Sequence, residues 1–211
     1  MSVVEIDGAR VAFRVDGVGP GLVLVHGTGG NSDTNWSELV GELSESRTVV
    51  RPDYSGSGDT GDGGHPLSAK TLAGQVVAAA KEAGATPFDI VGFSLGAAVS
   101  TYIAAEYPDL VRSVVLLAGF TSSTDPRQTM QFELWRDLIT LDRHAMARFI
   151  LLTGLSSEFL SKLGPDAIAE AAAQITANNN WDGMARQVEL DLTIDLAPTA
   201  RRALSKARRS P

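Results

Sequence analysis

Apolar and polar residues alternate through SVVEID (2–7) and again through RVAFRVD (10–16), which predicts two strands joined by a tight turn at Asp7-Gly8. GLVLVHG (21–27) is a continuous apolar run between glycines, the pattern of a central strand buried on both faces. A helix is predicted over about 35–44, where Trp36, Leu39, Val40 and Leu43 share one stripe, and RTVVRPD (47–53) reads as a further short strand. The glycine-rich YSGSGDTGDGGHP (54–66) is loop. SAKTLAGQVVAAAKEAG (68–84) carries an apolar stripe between Ser68, a candidate N-cap, and Gly84, a candidate C-terminal stop. A strand over FDIVG, a helix over LGAAVSTYIAAEY ended by Pro108, and a strand over RSVVLLAG complete the alternation.

Strands that alternate with helices require a mostly parallel sheet covered on both faces, and the first hairpin adds an antiparallel edge. After Gly119 the period changes. MQFELWRDLITL, RHAMARFILL and PDAIAEAAAQITA are helical stripes, and no strand is predicted between 126 and 195. The expected organisation is an α/β core over 1–119, an all-helical insertion over 120–197, and a basic, unstructured tail over 198–211.

Composition narrows the chemistry. The absence of cysteine excludes disulfides, thiolate metal sites and a cysteine nucleophile. The N-terminus has no basic start followed by an apolar stretch, and no window approaches the ~18 apolar residues of a membrane span, so a cytoplasmic location is expected. A net charge of −7 disfavours nucleic acid and anionic membranes as partners and leaves small molecules as the expected ligands. Arg201, Arg202, Lys206, Arg208 and Arg209 concentrate positive charge in the last residues.

Candidate chemistry centres on G-F-S-L-G (92–96). The pattern is weak alone, but here a predicted strand runs into it and a predicted helix runs out of it. Ser94 therefore falls on a sharp strand-to-helix turn that presents its Oγ at the carboxyl end of the sheet. A β-carbon at Gly92 or Gly96 would crowd such a turn. The second element is VLVHGTGGNSDTNW (23–36), a strand running into a glycine-rich loop whose N–H groups are free to stabilise an oxyanion. The backbone amides of Thr28 and Leu95 are the candidate pair. No dinucleotide or phosphate-binding motif is present, and no cofactor is expected.

These residues carry a resemblance. The strand, HGTGG, RPDYSGSGDT, VGFSLGAAVSTYIAAEYPDLVRSVVLLAG and the following helical insertion together resemble the α/β-hydrolase superfamily, in the serine esterase and lipase-like branch with a helical cap. The resemblance covers about residues 3–197. It implies that Ser94 is the nucleophile, that Thr28 and Leu95 supply the oxyanion amides, and that residues 120–195 roof an apolar pocket. It also implies hydrolysis of a carboxylic ester, thioester or lactone with a small apolar acyl group.

The family places its acid and histidine after the nucleophile, on loops beyond a seventh and an eighth strand; this sequence stops short of both strands. Its three histidines are His26, read as structural, His65, read as a solvated loop residue, and His144, on a predicted helix of the insertion. Asp125 stands where some relatives carry the acid. No histidine here is a credible base for Ser94, so the expectation is impaired turnover with ligand binding retained, and the alternative is a non-catalytic ligand-binding or interaction protein with the same fold. Without further strands SVVLLAG is an apolar sheet edge, for which homodimerisation is expected.

Overall fold

The computed structural model describes residues 1–207, with side chains through Arg202. The first hairpin pairs β1 (Ser2–Ile6) with β2 (Ala9–Asp16), and Asp7 and Gly8 both adopt positive φ, 48° and 76°, as the predicted tight turn requires. Its strand β2 then runs antiparallel to β4 (Thr48–Pro52), which pairs in parallel with β3 (Gly21–Val25). Parallel pairing continues from β3 to β5 (Phe88–Phe93) and from β5 to β6 (Val111–Leu117). The resulting six-stranded order is β1-β2-β4-β3-β5-β6.

Every residue of β3 is buried, as its apolar run predicts. On one face of the sheet, α2 (Ala69–Glu82) and α3 (Leu95–Glu106) cover Phe13, Val23, Val25, Val50 and Ile90. On the other, α1 (Ser37–Ser44) covers Leu22, Leu24 and Val49. Trp36, expected inside α1, stands just before it and is buried in that same cluster, whereas Leu39 faces solvent. Helix α2 has the expected ends: the Ser68 hydroxyl accepts from Thr71 N–H at 3.0 Å, and Gly84 follows with φ 65°.

The insertion is helical throughout, with α4 (Pro126–Leu141), α5 (Arg143–Gly154), α6 (Ser157–Lys162), α7 (Pro165–Asn178) and α8 (Trp181–Thr193). Phe132, Ile139, Met146, Trp181, Met184 and Val188 form their shared core. Phe132 and Trp181 are thus packing residues, and Trp135 stacks edge-on against Phe132.

The basic end departs from the sequence reading. Instead of an unstructured tail, residues 197–207 form helix α9 (Ala197–Ala207), which packs on α3. Arg202 reaches Glu106 of α3 at 2.7 Å, so part of the positive charge meets an acidic partner across the chain. Residues 208–211 of the expected tail lie outside the described residues. No helix among the described residues is long and apolar enough to cross a membrane.

Candidate active site

Ser94 occupies the turn between β5 and α3 at φ 55° and ψ −119°, a conformation that non-glycine residues adopt at a cost of order 1–3 kcal/mol. The strain is held from several sides. Ser94 N–H donates to Leu117 O at 2.9 Å, tying the turn to the end of β6. A Cβ on Gly96 would lie 2.2 Å from Val25 O, and one on Gly92 would lie 2.3 Å from Gly96 O, so both positions exclude any side chain. The two glycines of the motif are therefore demanded by close backbone approach.

The β3–α1 loop passes beside this turn. A Cβ on Gly27 would lie 3.0 Å from the Ser94 Cβ, which makes Gly27 and Ser94 direct neighbours. Within the loop, Gly27 N–H donates to Asn35 Oδ1 at 3.0 Å and Gly29 N–H donates to Gln187 Oε1 at 2.8 Å. Between them, the Thr28 N–H has no acceptor among the described residues, and neither has the Leu95 N–H. The Ser94 hydroxyl is also without a partner there, and Ser94 is only half-buried. One hydroxyl and two uncommitted amides at a strained turn form an arrangement that can take up a carbonyl oxygen carrying developing negative charge.

The inner side of the loop, at His26, is fully buried. His26 is fully buried and stacks on Tyr54 with ring centroids 4.0 Å apart. Its Nδ1 hydrogen-bonds Gly27 O at 2.9 Å, and burial lowers its pKa to about 4, so the ring is neutral. The Tyr54 hydroxyl donates to His26 O at 2.8 Å. Behind Thr28 lies Asp191 of α8, fully buried, whose pKa burial pushes up to about 8. The Thr28 hydroxyl donates to its Oδ2 at 2.6 Å, while its Oδ1 has no partner.

The three histidines lie as follows. His26 is a buried structural residue of the loop. His65 is exposed, and its carbonyl accepts from Arg186 at 3.0 Å. His144 is exposed on α5, with Nδ1 3.4 Å from the Thr176 hydroxyl. None of them is hydrogen-bonded to Ser94. Asp125 is an exposed N-cap of α4 that accepts from Gln128 N–H at 3.0 Å, which accounts for it without an acid role. Among the described residues no cluster of His, Asp or Glu is arranged to hold a metal ion.

Sequence reading missed the contribution of α8. Met184, Gln187, Val188 and Asp191 form a buried helical stripe, and two of its four members are polar. That conflict of polarity with position was the available signal. A cavity of about 570 Å³ lies among α4, α5, α6 and α7, lined by Leu138, Phe149, Leu151, Leu160 and Ile168; neither Ser94 nor Thr28 lines it.

Comparison with known proteins bears on the fold and the family. Residues 20–198 match the model of the alpha/beta hydrolase fold. Pyrrolizixenacetamide deacetylase of Xenorhabdus hominickii is 58% identical over 202 residues, which are 96% of this chain and 76% of that protein. The enol-lactonase from Burkholderia xenovorans LB400 superposes with a TM-score of 0.81 at 21% identity, covering 96% of this chain and 77% of its own. A thermophilic esterase from Thermogutta terrifontis superposes with a TM-score of 0.77 at 17% identity, covering 94% and 75%. By its matched residues, its mostly parallel sheet and its strand-turn-helix serine, the chain belongs to the alpha/beta hydrolase family, whose members named above are a deacetylase, an enol-lactonase and an esterase.

Proposed function

We propose that this chain is a serine acyl hydrolase in which Ser94 is the nucleophile and the amides of Thr28 and Leu95 form the oxyanion hole. The observation that carries the reading is the Ser94 backbone at φ 55° and ψ −119°, held beside two N–H groups without acceptors. In the reaction, Ser94 Oγ bonds to the acyl carbon, its proton passes to a base, and the carbonyl π pair moves to oxygen, where both amides hold it. Collapse expels the leaving group with a proton and leaves an acyl-serine, which water then cleaves.

The substrate class is a small apolar acyl group on oxygen, sulfur or nitrogen: a carboxylic ester, thioester or lactone, extended to an acetamide by the relative from Xenorhabdus hominickii. The helices α4 to α8 act as the cap over it.

The base is the weak point of this chain. No histidine among the described residues bonds to Ser94, so in this reading the base that takes the Ser94 proton is left unassigned. This same observation favours the second reading, ligand binding under the cap without catalysis.

Both readings meet one experiment: release of p-nitrophenol from p-nitrophenyl acetate by the full chain and by Ser94→Ala, with and without added imidazole as an external base. Hydrolysis that rises with imidazole and disappears in Ser94→Ala supports the nucleophile. A rate equal in both proteins removes Ser94 from the chemistry and leaves the binding reading.

A further inference from the structure

Helix α8 touches the β3–α1 loop at two successive residues. The Thr28 hydroxyl donates to Asp191 Oδ2 at 2.6 Å, and Gly29 N–H donates to Gln187 Oε1 at 2.8 Å. Gln187 and Asp191 stand one helical turn apart, so a single rigid face delivers both acceptors. That face is itself seated tightly. Gln187 Nε2 donates to Ser57 Oγ at 2.7 Å, a Cβ on Gly29 would lie 2.9 Å from the Met184 sulfur, and one on Gly183 would lie 2.0 Å from Gly56 O.

Asp191 is costly where it stands. Its carboxyl is fully buried, its Oδ1 has no partner, and its one polar contact among the described residues is the Thr28 hydroxyl. An apolar side chain would serve the packing of α8 better, because a buried carboxyl without a cation or a full hydrogen-bond set costs stability. What the carboxyl does is fix the orientation of Thr28. With Gly27 N–H held by Asn35 and Gly29 N–H by Gln187, three successive amides are sorted: the outer two are committed inward and the middle one, on Thr28, is left for a ligand.

We propose that Asp191, assisted by Gln187, is the positioning residue of the oxyanion loop, setting the peptide of Thr28 by holding its side chain. The inference rests on the reading of Ser94 and Thr28 given above. Asp191 touches no substrate; it acts through Thr28. Two features follow. The nucleophile's oxyanion donor is set by a helix of the insertion, 163 residues away in sequence, and displacement of α8 disorders the hole directly.

The test uses the full chain with Asp191→Leu, Asp191→Asn, Thr28→Val and the double variant Asp191→Leu/Thr28→Val. Two readouts are taken: amide hydrogen exchange of residues 26–30, and the rate at which a fluorophosphonate probe labels Ser94. Asp191→Leu and Thr28→Val are each expected to speed exchange of the loop and to slow labelling, both by tenfold or more. Thr28→Val exchanges only the hydroxyl for a methyl group, so it stays informative if Asp191→Leu does not fold. Asp191→Asn keeps an acceptor for Thr28 and is expected to stay within threefold of the parent. The double variant is expected to be no worse than either single, because both break the same contact.

Exchange and labelling within twofold of the parent in Thr28→Val and Asp191→Leu overturn the proposal, as does a double variant whose effects multiply. If the parent is not labelled even with added imidazole while Ser94 is intact, the nucleophile reading fails separately, and loop exchange alone then decides the role of Asp191.

Discussion

Gly27 passes so close to Ser94 that a Cβ built on it would lie 3.0 Å from the serine Cβ and 3.0 Å from Phe93 Cδ1. The β3–α1 loop and the β5–α3 turn are thereby pressed together by the absence of one side chain. A methyl group at Gly27 displaces the loop by a few tenths of an ångström without meeting immovable backbone at its closest contacts, whereas one at Gly96 would strike Val25 O at 2.2 Å. Gly27→Ala is expected to fold and to lose tenfold or more of Ser94 labelling by a fluorophosphonate. Gly96→Ala is expected to lose several kcal/mol of stability, of order 3–5. Urea denaturation of both, with labelling rates, checks the contrast; equal stability losses would contradict it.

The strain at Ser94 predicts a gain on its removal. Glycine adopts φ 55° without a steric penalty, so Ser94→Gly is expected to be more stable than Ser94→Ala by about 1 kcal/mol, while both abolish labelling. Thermal unfolding of the pair measures the difference. A Ser94→Gly protein less stable than Ser94→Ala would show that the turn is not strained.

Asp191 and His26 give opposite pH dependences. Asp191 keeps its proton up to about 8 in the folded state against 3.8 when unfolded, so the folded state binds the extra proton between these values and stability falls as pH rises through them. His26 releases its proton at about 4 when folded against 6.5 when unfolded, so its contribution rises with pH over that interval and is lost on acidification. The two oppose each other between about 4 and 6.5, and above that Asp191 acts alone. Asp191→Asn is therefore expected to gain on the parent by up to about 1.4 kcal/mol per pH unit from neutrality toward pH 8. Urea midpoints at pH 6, 7 and 8 test this; parallel pH profiles for the two proteins would refute it.

Among the described residues no strand pairs with β6 on its outer side. Val115 and Leu116, which point to opposite faces of the sheet, are each 48% exposed, and Val114 and Leu117 are exposed as well. An apolar stretch such as 114–117, which carries no charge, pairs readily with another chain when it lies at a sheet edge. The 211-residue chain is expected to self-associate at micromolar concentration, and Val115→Lys, which places a charge on the edge, is expected to shift it toward monomer. Sedimentation velocity of both proteins decides, and a monomeric parent would remove the edge as an interface.

Much of the fold was legible because its signals are local. The hairpin at Asp7-Gly8 follows from turn chemistry, α2 from a Ser68 cap and a Gly84 stop, and β3 from an apolar run that only a doubly covered strand tolerates. The serine turn was legible for the same reason: Gly92 and Gly96 sit within four residues, and the crowding that demands them is set by the turn's own path. By residue type and position Asp125 fits two roles, and the structure shows it in the local one, a helix cap. The basic end was misread because its charges looked solvated, whereas Arg202 finds Glu106 on a distant helix.

What the sequence alone determined was therefore the elements other than α9 and the place of Ser94, since spacing, caps and glycines act over a few residues. The tertiary structure decided the strand order that lays β4 between β2 and β3, the burial of His26 against Tyr54, and the meeting of Thr28 with Asp191. Those depend on which faces of remote segments come together to exclude water, and a buried carboxyl acquires its meaning only from the hydroxyl that folding brings against it.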